Sequence, residues 1–167
     1  MEINTPIVNT AEPASFGSVE LDDFVSFVLA GGEVTGKGLR NRVLNAQCIS
    51  FMRERNCLIG VGGLKRPSAN HRSDVEIGAG VKLDAGAFPF ELGWVFILPI
   101  ARGRKLSQLL CESLVAGAGN KGIFATSQEK NKGMHVTLKR IGFVCVGKPW
   151  PSIENSGRLL LFARNTI

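Results

Sequence analysis

Several patterns are missing from this 167-residue sequence, and each absence excludes a class of protein. The four cysteines form no C-x-x-C pair, which excludes a zinc ribbon and a thioredoxin-like redox site. The two histidines, His71 and His135, lie far apart in the sequence, so we expect no metal site. No apolar run approaches the roughly 20 residues of a membrane span, and residues 1–17 lack the basic and apolar regions of a signal peptide. We therefore expect a cytoplasmic protein, without a membrane partner, whose thiols stay reduced.

The charge of the chain is unevenly distributed. Residues 1–100 carry nine Lys/Arg and eleven Asp/Glu, whereas residues 101–167 carry eleven Lys/Arg and three Asp/Glu. A basic C-terminal part indicates a polyanionic partner, either nucleic acid or a phosphate-bearing cofactor, or else an ordinary solvated surface. The aromatic residues are few and are not interleaved with the basic ones. This composition argues against stacking on single-stranded nucleic acid.

Residues 31–38, GGEVTGKG, match most of the phosphate-binding loop G-x-x-x-x-G-K-[ST]. Gly38 stands where that loop has the hydroxyl residue that holds Mg²⁺. A phosphate loop also follows a strand, whereas residues 19–30 have apolar side chains at helical spacing. The sequence therefore favours a connection between two helices over a nucleotide-binding loop.

Apolar periodicity predicts the remaining elements. A short helix over residues 38–47 precedes a hairpin of strands at 48–54 and 57–65. A long excursion over residues 67–90 has the composition of a binding loop. The rest of the chain is predicted as strand 91–99, helix 105–120, strand 122–128, helix 132–142 and closing strands 143–149 and 158–164. We expect a flexible lead-in over residues 1–17 and one α/β domain over residues 18–167, with a single mixed, mostly antiparallel sheet flanked by helices.

Two blocks of sequence carry candidate chemistry. In the first, a strand ending at Pro99 leads into a basic turn, residues 102–105, and a helix begins near Leu106. Backbone N–H groups at a helix start bind phosphate oxygens, and basic side chains add to that attraction. In the second block, strand 122–128 is followed by Asn131, a helix, and the pair Gly142-Phe143.

Together, in their order and secondary structure, the two blocks resemble the GNAT superfamily of acyl-CoA-dependent N-acyltransferases. The resemblance covers roughly residues 48–165. It implies transfer of an acetyl group from acetyl-CoA to an amine by direct attack, with Glu91 as the general base. It implies that a strand would run beside the pantetheine arm of acetyl-CoA and that the basic turn would cradle the pyrophosphate. The cofactor-binding residues that it implies are Val95, Phe96, Ile97, Arg102, Gly103, Arg104, Lys105, Leu106, Ser107 and Asn131.

The sequence departs from the family pattern at three positions. Lys105 stands where the family prefers Gly, and Ser107 where it prefers Gly or Ala. Leu138 occupies the helix position that commonly carries a Tyr general acid, and the chain has no tyrosine. Two alternatives therefore stay open: a CoA-binding or regulatory module that has lost catalysis, and a basic nucleic-acid-binding domain. The identity of the amine and the formation of a homodimer also stay open.

Overall fold

The computed structural model describes residues 4–165, which form one seven-stranded sheet with helices packed on it. The strands are β1 (Ile7–Ala11), β2 (Cys48–Glu54), β3 (Cys57–Lys65), β4 (Phe90–Ile97), β5 (Ile123–Gln128), β6 (Val144–Pro151) and β7 (Arg158–Arg164). The α-helices are α1 (Ser18–Ala30), α2 (Leu39–Leu44), α3 (Ala69–Ala79), α4 (Leu106–Ala116) and α5 (Lys132–Arg140). Among these residues, no helix has the length and apolar character needed to span a membrane.

The strand order is β1-β2-β3-β4-β5-β7-β6, and only β4 and β5 run parallel. This confirms the predicted mixed, mostly antiparallel sheet. The parallel pairing covers two residue pairs, Phe90 with Ile123 and Glu91 with Phe124. Beyond Glu91, β4 has no pairing with β5, so the two strands separate and a cleft opens in the middle of the sheet.

The predicted hairpin is confirmed at its predicted boundaries. Arg55 and Asn56 link β2 to β3 with φ angles of 49° and 64°. Positive φ at both turn residues matches the right-handed twist of the paired strands. The hairpin buries Phe51 against Phe24 of α1 on one face of the sheet, and Leu64 against Leu114 of α4 on the other. The two helical layers therefore pack on opposite faces of the same strands.

The prediction of a flexible lead-in was wrong for the part that the structure describes. Residues 7–11 form β1, which pairs antiparallel with β2, and Phe16 packs on Phe51 with ring centroids 4.7 Å apart. Residues 1–3 lie outside the described residues. The strand has little apolar periodicity of its own, because its main support is the backbone ladder that the edge of β2 offers.

The predicted excursion over residues 67–90 is partly a helix, α3. Ser68 caps it by accepting a hydrogen bond from the His71 N–H at 3.1 Å, and Gly80 ends it with φ 69°. Only Val75 and Ala79 of this helix are buried. The apolar pattern was therefore too sparse to identify the helix, although both of its end signals are present in the sequence.

Candidate functional site

The cleft beside the edge of β4 that does not pair with β5 has a volume of about 560 Å³. Four segments line it: β4, the turn into α4, the start of α5, and the end of α1 with the residues that follow it. It contains nine of the ten cofactor-binding residues that the sequence predicts; only Arg104 lies outside its lining. The nine are Val95, Phe96, Ile97, Arg102, Gly103, Lys105, Leu106, Ser107 and Asn131. Residues more than 30 positions apart in the sequence thus meet around one space.

A bulge in β4 shapes one wall of the cleft. Trp94 has φ 55°, and the pairing of β3 with β4 shifts register between Val61 and Gly63. The Trp94 ring fills the space above Gly63, where an added Cβ would lie 2.5 Å from the ring. Because β5 does not pair with β4 beyond Glu91, the backbone groups on that edge of β4 are available to an extended ligand.

The turn between β4 and α4 presents a row of backbone donors, here called the amide row, from Gly103 to Gln108. Within the described residues, no backbone carbonyl accepts a hydrogen bond from these six N–H groups. Gly103 has φ 82° and Lys105 has φ 58°, so the chain twice enters the left-handed region as it turns into the helix. Glycine adopts that region without strain. The conformation explains the family's preference for Gly at the position of Lys105.

The three basic side chains of this turn differ in their partners. Arg102 Nε donates to the Ile97 carbonyl at 2.9 Å, and its guanidinium lies over the Phe96 ring. Arg104 binds both oxygens of Glu54, at 3.1 and 2.6 Å, and this hydrogen bonding lowers the pKa of Glu54. Of the three, Arg102 and Lys105 line the cleft, whereas the charge of Arg104 is offset by β2.

Asn131 closes the cleft at the first turn of α5. Its Oδ1 accepts the Met134 N–H at 3.2 Å, so it caps the helix, and its NH₂ group can still donate to a ligand. Nearby, the hydroxyls of Ser107 and Thr137 are 3.1 Å apart and join α4 to α5. Leu138 is fully buried in the core with Leu92 and does not line the cleft. The helix position where the family commonly has Tyr is therefore a core position in this protein.

Glu91 lies outside the cleft lining and is the buried member of a cluster of charges next to it. Its side chain is 2% exposed; Oε1 contacts Lys65 Nζ and Oε2 is 2.6 Å from His71 Nε2. Burial alone would raise the pKa of Glu91, but Lys65 and His71 outweigh it and hold the pKa at about 2. Glu91 is therefore an anion at neutral pH with both of its oxygens engaged.

Lys65 connects this cluster to the cleft wall. The aliphatic part of its side chain passes over Gly93, where an added Cβ would lie 3.0 Å from Lys65 Cε. Its Nζ is 5.3 Å from the centre of the Trp94 ring, which lines the cleft. The sequence analysis identified neither Lys65 nor His71. Lys65 lies opposite Glu91 in the β3–β4 register, which only the folded sheet defines.

No family model and no curated protein matches this chain. Solved structures do match it. The GNAT-family acetyltransferase of Streptococcus agalactiae is 16% identical with a TM-score of 0.68, over 96% of each chain. An acyl-CoA N-acyltransferase from Pseudomonas aeruginosa is also 16% identical with a TM-score of 0.68, over 96% of this chain and 99% of its own. Arabidopsis thaliana NAA60, solved in complex with acetyl-CoA, is 14% identical with a TM-score of 0.69, over 98% of this chain and 100% of its own.

The chain has the GNAT acyl-CoA N-acyltransferase fold. The match extends over nearly the whole chain, so β1 and α3 belong to the matched region as much as the two motif blocks do. At this level of identity the likeness concerns the GNAT fold, and arguments about activity depend on the site itself.

Proposed function

We propose that this protein transfers an acetyl group from acetyl-CoA to an amine. The observation that carries the proposal is the cleft, in which an unpaired strand edge of β4 leads directly into the amide row. An extended amide-containing arm that ends in a pyrophosphate, as in acetyl-CoA, complements both parts. The amide row supplies donors for phosphate oxygens and the positive end of the α4 dipole. Arg102 and Lys105 add positive charge at the same place.

In this proposal the pantetheine arm runs along Val95, Phe96 and Ile97 and passes the NH₂ group of Asn131. The thioester then lies near the β4 bulge, where a backbone N–H stabilises the negative charge that develops on the carbonyl oxygen. The neutral amine attacks the thioester carbon; a C–N bond forms and the C–S bond breaks. Coenzyme A leaves as a thiolate, which is stable enough to depart without a Tyr acid because thiols titrate near 8.5.

The environment of the cysteines supports direct attack over an acyl-cysteine. Burial raises the pKa of Cys48 to about 11 and that of Cys111 to about 12, so both thiols stay protonated. Cys57 and Cys145 are exposed and do not line the cleft. We therefore expect no acylated cysteine in mass spectra of the protein after incubation with acetyl-CoA alone. A stoichiometric acyl-cysteine adduct would contradict direct attack.

Two measurements test the proposed function. Titration calorimetry with acetyl-CoA at moderate salt should show saturable binding, and thiol release should follow when small amines, peptide N-termini or lysine side chains are supplied. No heat and no thermal shift at millimolar acetyl-CoA would overturn the proposal. Binding without thiol release across the amine panel would instead indicate a CoA-binding module. Nucleic-acid binding whose log K falls linearly with log[salt] would instead indicate a basic nucleic-acid-binding domain.

Lys37, the lysine of the GGEVTGKG stretch, gives a further prediction. Residues 31–38 connect α1 to α2, and Lys37 does not line the cleft, although Gly31, Glu33 and Val34 do. Replacing Lys37 by Ala should leave acetyl-CoA affinity unchanged within about twofold. The Lys37 side chain is exposed and outside the cleft lining, so salt screens its charge. Calorimetry on both proteins checks it. ATP binding that depends on Lys37 would show that the stretch is a nucleotide loop.

A further inference from the structure

The cluster of Lys65, Glu91 and His71 beside the cleft contains two groups that can accept a proton, Glu91 and His71, and these differ in their access to solvent. A residue that takes a proton from an amine needs a free lone pair within reach of that amine. Both Glu91 oxygens are already engaged, and the side chain is 2% exposed. The side chain of His71, in contrast, is 44% exposed. His71 is therefore the member of the cluster that a molecule from solvent can reach.

The contact with Glu91 also decides which His71 nitrogen is free. An ionised carboxylate only accepts hydrogen bonds, so at 2.6 Å the His71 Nε2 must carry the proton and donate it to Glu91. In neutral imidazole the other nitrogen, Nδ1, then holds a lone pair. Glu91 thus holds the ring in the tautomer that makes Nδ1 a proton acceptor, and it stabilises the imidazolium once Nδ1 is protonated.

The position of this pair relates it to the reaction. Glu91 lies on β4 at the last residue pair before β4 and β5 separate, and Trp94, three residues further, lines the cleft. Lys65 bridges Glu91 and Trp94. His71 reaches the same point from α3, on the face of the sheet that Glu91 shares with Phe124 and the α3 core. His71 is therefore accessible to solvent on this face of the sheet.

We propose that His71 is the catalytic residue that takes a proton from the acceptor amine, and that Glu91 is its positioning residue. The inference rests on the proposed acetyl transfer. An ammonium gives one proton to His71 Nδ1, and the freed lone pair of the amine attacks the thioester carbon. The C–S bond then breaks, and the second proton of the attacking nitrogen passes to the departing thiolate. The imidazolium of His71, held by Glu91, later passes its proton to solvent. The acceptor is accordingly an alkylamine that is mostly protonated at neutral pH.

Charged groups on three elements surround His71. Glu91 on β4 carries a negative charge and Lys65 on β3 a positive one. On α3 itself Arg72 is the next residue, with its guanidinium held by the Leu83 and Phe88 carbonyls, and Asp74 lies three residues on. The ring of His71 is in direct contact with the negative charge of Glu91.

The first test replaces His71 by Gln. At neutral pH we expect kcat/KM to fall by roughly 10²–10⁴-fold, with acetyl-CoA affinity unchanged. High pH should partly restore turnover, because the amine then loses its proton without help. The control is His135→Gln: His135 is the other histidine, buried and hydrogen-bonded to the Gln128 carbonyl at 2.9 Å. That variant should keep kcat/KM within a few-fold of the wild-type value.

The second test replaces Glu91 by Gln. Without the carboxylate that accepts the His71 Nε2 proton, the ring is no longer held in its tautomer, and kcat should fall by about 10-fold or more with acetyl-CoA affinity unchanged. A purely structural link between α3 and β4 would change stability without lowering the kcat of the folded protein. An unchanged kcat in both His71→Gln and Glu91→Gln overturns the proposal.

A measurement that needs no turnover tests the tautomer. In ¹⁵N NMR of the wild-type protein, neutral His71 should carry its proton on Nε2 and not on Nδ1. An Nδ1–H tautomer would overturn the role of His71 even if every variant folded poorly. Failure of wild-type protein to bind acetyl-CoA would overturn the proposed function instead, so the two outcomes are distinguishable.

Discussion

A carboxylate placed at the position of the amide row that lines the cleft, Ser107, should weaken acetyl-CoA binding by about 100-fold or more. Ser107 lies in the first turn of α4 and lines the cleft, so Ser107→Glu sets a negative charge where the proposed pyrophosphate lies. Two unit charges about 4 Å apart repel by roughly 4 kcal/mol at an effective dielectric constant of 20. Each 1.4 kcal/mol is a factor of about ten in affinity, and screening by salt reduces the total.

The matched control for this experiment is Gln108→Glu. It makes the same change in charge one residue later in the same helix turn, but Gln108 does not line the cleft and its Nε2 donates to Glu112 at 3.0 Å. We expect an affinity within a few-fold of wild type. Ser107→Glu loses the contact with the Thr137 hydroxyl and Gln108→Glu loses the hydrogen bond to Glu112, so both thermal midpoints should fall by a similar, small amount. A carboxylate in the first turn of a helix offsets part of each loss. Equal affinities of the two Glu variants for acetyl-CoA would contradict the proposed binding of its pyrophosphate to the amide row.

The second large effect is acid destabilisation that depends on Glu91. The pKa of this group in the folded protein is about 2, below its ordinary value of 4.5. A lowered folded-state pKa stabilises the protein above the unfolded-state value, and this stability is lost as pH falls through the folded-state value. The difference corresponds to on the order of 3 kcal/mol, of which about 2 kcal/mol is lost by about pH 3.

Urea unfolding of wild type and Glu91→Gln from about pH 6 to about pH 3 measures this contribution. The difference in unfolding free energy between the two proteins should narrow as the pH falls, because Gln does not titrate. The matched control is Glu54→Gln, which makes the same substitution at another ion-paired glutamate whose side chain is 23% exposed, against 2% for Glu91. An ion pair that water reaches contributes less to stability, so its difference from wild type should narrow less than that of Glu91→Gln. A constant difference for Glu91→Gln would show that the charge cluster is not formed.

The sequence by itself determined the elements whose signals are local. The β2–β3 hairpin follows from alternating apolar residues around Arg55-Asn56, and α4, β5 and α5 follow from apolar period and flanking turn residues. Nine of the ten predicted cofactor-binding residues line the cleft because they occupy two short ordered blocks, each a strand end and a helix start. Backbone groups carry most of that wall, so even Lys105 and Ser107, which depart from the family pattern, keep their places in it.

Only the tertiary structure decided the features that depend on pairing between distant segments. β1 exists because β2 offers it an edge, and Arg104 lies outside the cleft lining because Glu54 on β2 binds its guanidinium. Glu91 looked in the sequence like a free carboxylate at a strand start. The docking of α3 brings His71 to one of its oxygens and the β3 register brings Lys65 to the other. Burial and charge pairing depend on residues that are distant in the sequence. The candidate proton acceptor is therefore His71, which no sequence motif identifies, and not Glu91.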